Sequence, residues 1–447
     1  MGSRYRGRVQ PHPVRIGLLG CGNVGAGLVT LVAEQADAIE RRTGLRLEIT
    51  RVAVRNLGKA RSVSLPPEAF THDAGEVVAD PDVDVVVEVI GGIEPARTLV
   101  LDALKAGKPV ITANKELVAN VGAELFGAAD AAGVDLLFEA AVAGGIPLIR
   151  PLRESLAGER ISRITGIVNG TTNYILTKMS EEGASYGDAL AEAQSLGYAE
   201  RDPTADVEGY DAGAKAAIIA TIAFGAHVVA GDVYHEGIAG VTPVDVAVAA
   251  RLGFVIKLLA VAEQGDDGSV AVRVHPAMVP ASHPLAAVRD SFNAVFIEGD
   301  AVGELMFYGR GAGGAPTASA VLGDLIDAAG NLRKGTAATL GLLPRAVIRP
   351  MDEVRSRYYL HLEVRDRPGV LHAVSGVFAE HDVSIGSMEQ ELVGAEGADR
   401  SQAAGARIIF ITHEAPESAI QATLRDLREL DVVEDITSLL RVVGDGA

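Results

Sequence analysis

At 447 residues, 48% of them hydrophobic, the chain is long enough for about three domains and excludes a single small module. Forty Lys and Arg against 59 Asp and Glu leave a net charge of −19, which argues against non-specific nucleic-acid or membrane-surface binding and for a small-molecule partner. A lone cysteine, Cys21, cannot close an internal disulfide and fits a cytoplasmic setting, while 51 glycines beside few aromatics suggest an α/β enzyme with many close backbone approaches.

Residues 1–13 combine Arg and Pro without an apolar stretch and read as a flexible tail rather than a signal peptide. From Val14 short β-branched runs alternate with helical stretches: VRIGLLG, Val24 to Arg42, LEITRVAV, DVDVVVEVI, a helix after Pro95, PVITA, a further helix and VDLLFEA. That alternation predicts a doubly wound parallel sheet, a Rossmann-type domain, over residues 14–150. A mixed α+β pattern follows over 151–309, with strands at ISRITGIVNG, VAVRVHPAMV and AVFIEGD. Its uncharged run from Ala216 to Gly231 is shorter than a bilayer span and reads as a buried helix. Residues 310–340 supply a glycine loop and a long apolar helix predicted to return to the first domain, making the second an insertion within it. Over 356–447 the order strand, helix, strand, strand, helix, strand predicts a ferredoxin-like βαββαβ module, interrupted by a polar insertion from Glu396 to Gly405. Its removal is expected to leave catalysis intact.

Gly20-Cys21-Gly22-Asn23-Val24-Gly25 follows a predicted strand and opens a predicted helix, the context in which G-x-G-x-x-G binds a dinucleotide. Gly20 permits the tight turn, and Gly22 lets the backbone approach a pyrophosphate at the helix N-terminus. The second strand ends in Arg55, with Lys59 and Arg61 close behind and no carboxylate at its tip; this favours NADP(H) over NAD(H), although Arg55 could equally be a solvated surface charge. Ile90-Gly91 and Lys115 fall at the carboxyl ends of later strands, where such sheets bind ligands. As a fragment, Lys115 is equally compatible with an exposed lysine at a capped helix start.

The densest acidic run, Gly197 to Asp211, ends four residues before Lys215, so Asp211 and Lys215 share a helical face. Such a pair is most often a surface ion pair. The functional alternative is that Lys215 faces a cleft and trades a proton with a substrate while Asp211 holds it. Glu200, Asp202, Asp206 and Glu208 would then suit a substrate ammonium group.

The segments GLLGCGNVG, VEVIGGIEPA, VITANKELVA, FEAAVAGGIPLI, GIVNGTTNYIL and GYAERDPTADVEGYDAGAKAAI together resemble the homoserine dehydrogenases that carry a C-terminal ACT domain, over nearly the whole chain. The resemblance implies NAD(P)H-dependent reduction of L-aspartate 4-semialdehyde to L-homoserine, toward threonine and methionine. It implies Lys215 as proton donor supported by Asp211, and Lys115 as a lysine meeting cofactor and substrate. Glu200 and Asp206 become substrate-site acids, and Asn169, Gly170 and Thr171 the floor of that site. It further implies a monovalent cation, sodium, held mainly by backbone carbonyls around Glu139, Val142, Gly144 and Ile146. Gly311 and Gly313 belong to a glycine loop folding back over the cofactor. Asp366 and Gly369 resemble the ACT signature, implying threonine as effector, and the family pattern implies a homodimer or homotetramer. A different class, an amino-acid-responsive binding protein on an inactive dinucleotide scaffold, is disfavoured by the intact Lys115, Asp211 and Lys215; ACT-bearing phosphoglycerate or prephenate dehydrogenases do not predict NGTTNY.

Overall fold

A computed structural model describes residues 13–61, 63–338, 340–393 and 405–444. Most of the expected tail, residues 1–12, and residues 396–404 of the expected insertion lie outside the described residues. In chain order the first strands and helices are β1 (Val14–Leu19), α1 (Asn23–Glu34), α2 (Ala36–Thr43), β2 (Leu47–Ala53), β3 (Phe70–Thr71), α3 (Ala74–Ala79), β4 (Val85–Glu88), α4 (Ala96–Lys105), β5 (Val110–Thr112), α5 (Lys115–Ala132) and β6 (Leu136–Leu137). The middle of the chain supplies β7 (Ile161–Ile167), α6 (Gly170–Glu182), α7 (Tyr186–Ser195), α8 (Thr204–Val207), α9 (Tyr210–Phe224), β8 (Tyr234–His235), α10 (Pro243–Arg251), β9 (Phe254–Gln264), β10 (Val270–Pro280), β11 (Phe292–Gly299), β12 (Gly303–Arg310) and α11 (Gly314–Lys334). The last part runs β13 (Arg355–Val364), α12 (Val370–Glu380), β14 (Ile385–Val393), β15 (Gly405–Thr412), β16 (Ala415–Pro416), α13 (Glu417–Glu429) and β17 (Val433–Val442).

The chain divides into two compact units, the first holding residues 1–159, 217–231 and 307–346 and the second holding 160–216, 232–306 and 347–447. The first unit is built on a six-stranded parallel sheet in the order β3-β2-β1-β4-β5-β6, a doubly wound arrangement whose order reverses between β1 and β4. Its central strands are apolar on both faces because helices cover both. Ile16, Leu18, Val52, Val85, Val87 and Ile111 pack with Leu28, Val29 and Val32 of α1 and with Ala318, Val321, Leu325 and Ala328 of α11. Thus the late helix α11 fills one side of the early sheet. The inclusion of residues 217–231 in this unit had no counterpart in the pattern, since an apolar run buries equally well against any core.

The second unit carries a mixed sheet in the order β11-β7-β9-β10-β17-β13-β15-β14, with β8 beside β10 and β16 beside β13. Its last four strands, with α12 and α13, form the expected βαββαβ module around Tyr358, Leu360, Val374, Phe378, Phe410, Ile420 and Leu424. This module does not stand apart as a third body. Strand β17 pairs with β10 at Ala277–Arg441 and Met278–Val442, which makes the module's strands continuous with β9 and β10 in this one sheet. Fully buried Asp245 in α10 reinforces the join: it completes a capping box with Thr242 and also accepts from the Ser438 hydroxyl at 2.6 Å and the Tyr359 hydroxyl at 3.1 Å. Among the described residues no helix is long and apolar enough to cross a membrane.

Candidate active site

In the first unit, β1 runs into the glycine turn at the sheet's switch point. Gly20 has φ +103°, and a Cβ there would lie 2.9 Å from the Val89 carbonyl oxygen. A Cβ on Gly25 would collide with the Gly20 carbonyl, so this glycine lets α1 start directly against the strand end. Gly22 is different: nothing lies within 4 Å of where its Cβ would be. Helix α1 opens with Asn23 and Val24 and has no side-chain cap, so no side chain competes at its N-terminus with a pyrophosphate.

At the tip of β2, Arg55 and Lys59 are exposed. Arg61 shapes the segment between them by donating to the Asn56 carbonyl at 2.7 Å and the Lys59 carbonyl at 2.8 Å. The result is a cationic loop without a carboxylate. Ile90 and Gly91 follow β4, and their amides donate to Oε1 of Glu88 at 2.8 and 3.0 Å. Glu88 is fully buried, and its other oxygen accepts from the Thr112 hydroxyl at 2.5 Å. Thr112 in turn accepts from the Asn114 amide at 3.0 Å, and the Asn114 side chain caps α5 through Leu117 N and reaches the Gly92 carbonyl. Glu88 therefore ties two strand ends together and sets Lys115, half-buried, at the first position of α5. No motif marks Glu88: in the sequence it is one of three carboxylates in DVDVVVEVI, and only the bounds of β4 single it out as the strand's one charge.

Gly311 and Gly313 lie in the loop before α11, and Gly313, at φ +121°, is its N-cap residue. The turn carrying Val142, Gly144 and Ile146 packs behind this loop. Gly145 donates to the Arg310 carbonyl at 3.1 Å, and a Cβ on Gly144 would run into the Gly311 carbonyl. Ala143 joins Gly144 in the left-handed region, at φ +56° and +54°, a conformation that alanine rarely adopts. Glu139, buried, spends its carboxylate on backbone amides: Oε1 accepts from Leu148 and Ile149, and Oε2 from Arg150 at 2.9 Å. No three His, Cys, Asp or Glu side chains gather as metal ligands among the described residues. A cation at this turn would therefore rest on backbone carbonyls, and Glu139 would serve it by shaping the loop rather than through its carboxylate.

Buried beside Glu139, Asp324 accepts from the Glu139 amide at 2.8 Å and from the Arg150 guanidinium at 3.1 Å. Burial pushes its carboxyl up to about 7, against the pull of those two donors.

The second unit gathers the candidate substrate residues. Asn169 ends the turn after β7 and caps α6, its Oδ1 accepting from the Thr172 amide at 2.9 Å. Its Nδ2 donates to Asp206 Oδ1 at 2.7 Å and Asp211 Oδ2 at 2.9 Å. Lys215 Nζ reaches the same Asp211 oxygen and the Val168 carbonyl, each at 2.7 Å. The side chains of Lys215 and Asp211 are only 12% and 6% exposed, which rules out an ordinary solvated surface pair. Gly170 meets the Ser291 carbonyl so closely that a Cβ would sit 2.7 Å from it, and Thr171 donates to the Tyr198 carbonyl at 2.6 Å. Thus four of the expected residues, Asn169, Asp206, Asp211 and Lys215, form one bonded cluster. Glu200 is exposed, and among the described residues no hydrogen bond joins its carboxylate to that cluster. The Val168 carbonyl, which no sequence pattern marks, belongs to it.

In the terminal module, Gly369 has φ +93° and precedes α12, whose N-terminus lacks a side-chain cap; Asp366 is exposed in the same turn. This geometry suits a small carboxylate.

The doubly wound sheet, the open glycine turn and the buried Lys–Asp pair define an NAD(P)-binding oxidoreductase with an appended ACT-type module. Family models bear this out: homoserine dehydrogenase matches residues 147–326, the homoserine dehydrogenase NAD-binding domain 20–139 and the ACT domain 358–432. A homoserine dehydrogenase of Mycobacterium tuberculosis is 52% identical over 442 residues, covering 97% of this chain and 98% of that protein. A solved homoserine dehydrogenase from Thiobacillus denitrificans superposes with a TM-score of 0.89 at 43% identity, over 97% of this chain and 98% of that one. A hyperthermophilic archaeal homoserine dehydrogenase in complex with NADPH is similar over 71% of this chain and 98% of its own, with a TM-score of 0.61 at 31% identity. The chain belongs to the homoserine dehydrogenase family.

Proposed function

We propose that the protein reduces L-aspartate 4-semialdehyde to L-homoserine with NADPH in preference to NADH, in the cytoplasm, on the branch toward threonine and methionine. The observation that carries this reading is the bonded cluster Asn169–Asp206–Asp211–Lys215. The nicotinamide, when bound, supplies a hydride to the aldehyde carbon. Lys215 protonates the alkoxide oxygen that develops there. Two of its Nζ hydrogens go to Asp211 and the Val168 carbonyl, leaving the third for the substrate oxygen. The cationic lysine thus stabilises charge that exists mainly in the transition state. Asp211 orients Lys215, Asp206 and Glu200 receive the substrate ammonium, and Asn169, Gly170 and Thr171 form the floor beneath it.

Gly20, Gly22, Asn23, Val24 and Gly25 hold the pyrophosphate, Ile90, Gly91 and Lys115 contact the remainder of the cofactor, and Gly311 and Gly313 cover it. Arg55 and Lys59 read the 2′-phosphate, a role supported by their acid-free loop. Sodium is held by carbonyls of the turn containing Glu139, Val142, Gly144 and Ile146, where it would stabilise that turn. Threonine is the effector at Asp366 and Gly369, and the enzyme works as a homodimer or homotetramer. The test is the initial rate of NADPH and NADH oxidation with L-aspartate 4-semialdehyde, each with and without threonine. Turnover faster with NADPH and lowered by threonine is expected; no turnover with either cofactor sinks the proposal.

A further inference from the structure

The buried charges of the terminal module include one with a partner outside it. Arg441 of β17 is 2% exposed and grips two carboxylates. Its Nη2 reaches Oε2 of Glu417 at 2.9 Å, within the module, while its Nη1 reaches Oε1 of Glu236 at 2.9 Å. Glu236 belongs to the strip after β8, and the Tyr234 hydroxyl donates to the same Glu236 oxygen at 2.5 Å. The Glu236 amide is also tied to β10, through the Val274 carbonyl at 2.7 Å.

This strip backs the turn that presents Asp206 and Asp211. His235 lies against the ring of Tyr210, with centroids 4.3 Å apart. Gly237 presses on Val207 and Glu208 so tightly that a Cβ would overlap the Val207 carbonyl, and the Ile238 amide donates to that carbonyl at 2.9 Å. Gly209, at φ +85°, faces the Glu236 carbonyl, which a Cβ would approach to 3.3 Å. Four successive residues, 235–238, therefore touch four successive residues, 207–210, directly between Asp206 and Asp211.

We infer that Glu236, held by Arg441, is a positioning residue for the substrate cluster: the last strand of the terminal module fixes the back wall of the turn carrying Asp206. This inference rests on the assignment of that cluster to the substrate. Without Glu236 the strip loses its side-chain anchor, and the 204–209 turn can drift from Asn169. The Lys215–Asp211 pair is internal to α9 and keeps its geometry. Substrate binding should suffer and proton transfer should not.

The experiment is steady-state oxidation of homoserine by the full-length chain, with parallel thermal denaturation. Glu236→Ala is expected to raise KM for homoserine about fivefold or more, while kcat and KM for NADP+ stay within about twofold. Glu236→Gln, which still accepts from Arg441 and Tyr234, restores most of the loss. Arg441→Lys, which keeps the charge but not the fork, gives an independent arm with the same rise confined to homoserine KM. An unchanged homoserine KM, or a parallel loss for both substrates, overturns the inference. Asp206→Asn separates the two levels. If it raises homoserine KM and Glu236→Ala does not, only the positioning role fails; if Asp206→Asn has no effect, the substrate assignment falls and takes this inference with it.

Discussion

The side-chain amide of Asn169 donates to Asp211 at the same carboxylate oxygen that Lys215 occupies, so an asparagine on one element sets the lysine's partner on another. Asn169→Ala removes this link and the cap of α6 together. The cap alone is worth about 1 kcal/mol. Turnover is expected to fall about tenfold or more through misplacement of Asp211 and Asp206, with NADPH affinity unchanged. Stopped-flow rates and NADPH titration of the variant check this; a loss of stability without loss of turnover would mean that Asn169 is only a cap.

Arg55→Ala should weaken NADP(H) about tenfold while leaving NAD(H) nearly unaffected, because only the 2′-phosphate uses the charge. Arg61→Ala should act in the same direction through the loop it braces at Asn56 and Lys59. The check is KM for each cofactor with both variants. Equal losses for the two cofactors exclude Arg55 as the reader of the phosphate.

Glu88→Ala leaves the amides of Ile90 and Gly91 and the Thr112 hydroxyl without their buried acceptor. Chemical denaturation should register a loss of about 2–4 kcal/mol, and KM for the cofactor should rise because Glu88 no longer ties the turn after β4 to the end of β5. Glu88→Gln, which keeps an oxygen for the two amides, should recover much of both.

Asp324 makes the stability of the first unit depend on pH. Its folded pKa, about 7, lies above the ordinary carboxylate value because burial opposes the charge. Between the two values the native state binds more protons than the unfolded state, so the stabilisation that Asp324 contributes is full below about pH 4 and is lost as pH rises through about 7. Asp324→Asn removes that term, which is at most about 4 kcal/mol. Urea melts between pH 4 and pH 8 should show a shallower decline for the variant; parallel curves would mean that Asp324 does not titrate on folding.

Much of this was legible in the sequence because it is local. The parallel sheet shows in alternating β-branched runs, the cofactor turn in Gly20 to Gly25, and the Lys215–Asp211 pair in its spacing of one helical turn. What stayed hidden depends on chain segments far apart. Asn169 and Asp206 were each singled out, yet nothing in spacing says that they bond. Glu88 reads as a strand end until Thr112 and the Ile90 amide are seen converging on it. The terminal βαββαβ order was readable, whereas its pairing through β17 to β10 was not, since two residues of parallel register leave no periodic trace. That pairing changes the expectation for truncation after Arg355: the shortened chain bares the edge of β10 and loses Arg441, so it should lose stability and homoserine affinity along with any threonine response.

The central claim is that Lys215 delivers the proton during carbonyl reduction. Its most direct test is the rate of NADPH oxidation with L-aspartate 4-semialdehyde for Lys215→Ala, alongside NADPH affinity measured by cofactor fluorescence. The account predicts a fall in kcat of about a hundredfold or more with NADPH affinity held within about twofold. Turnover close to that of the unaltered enzyme would contradict it.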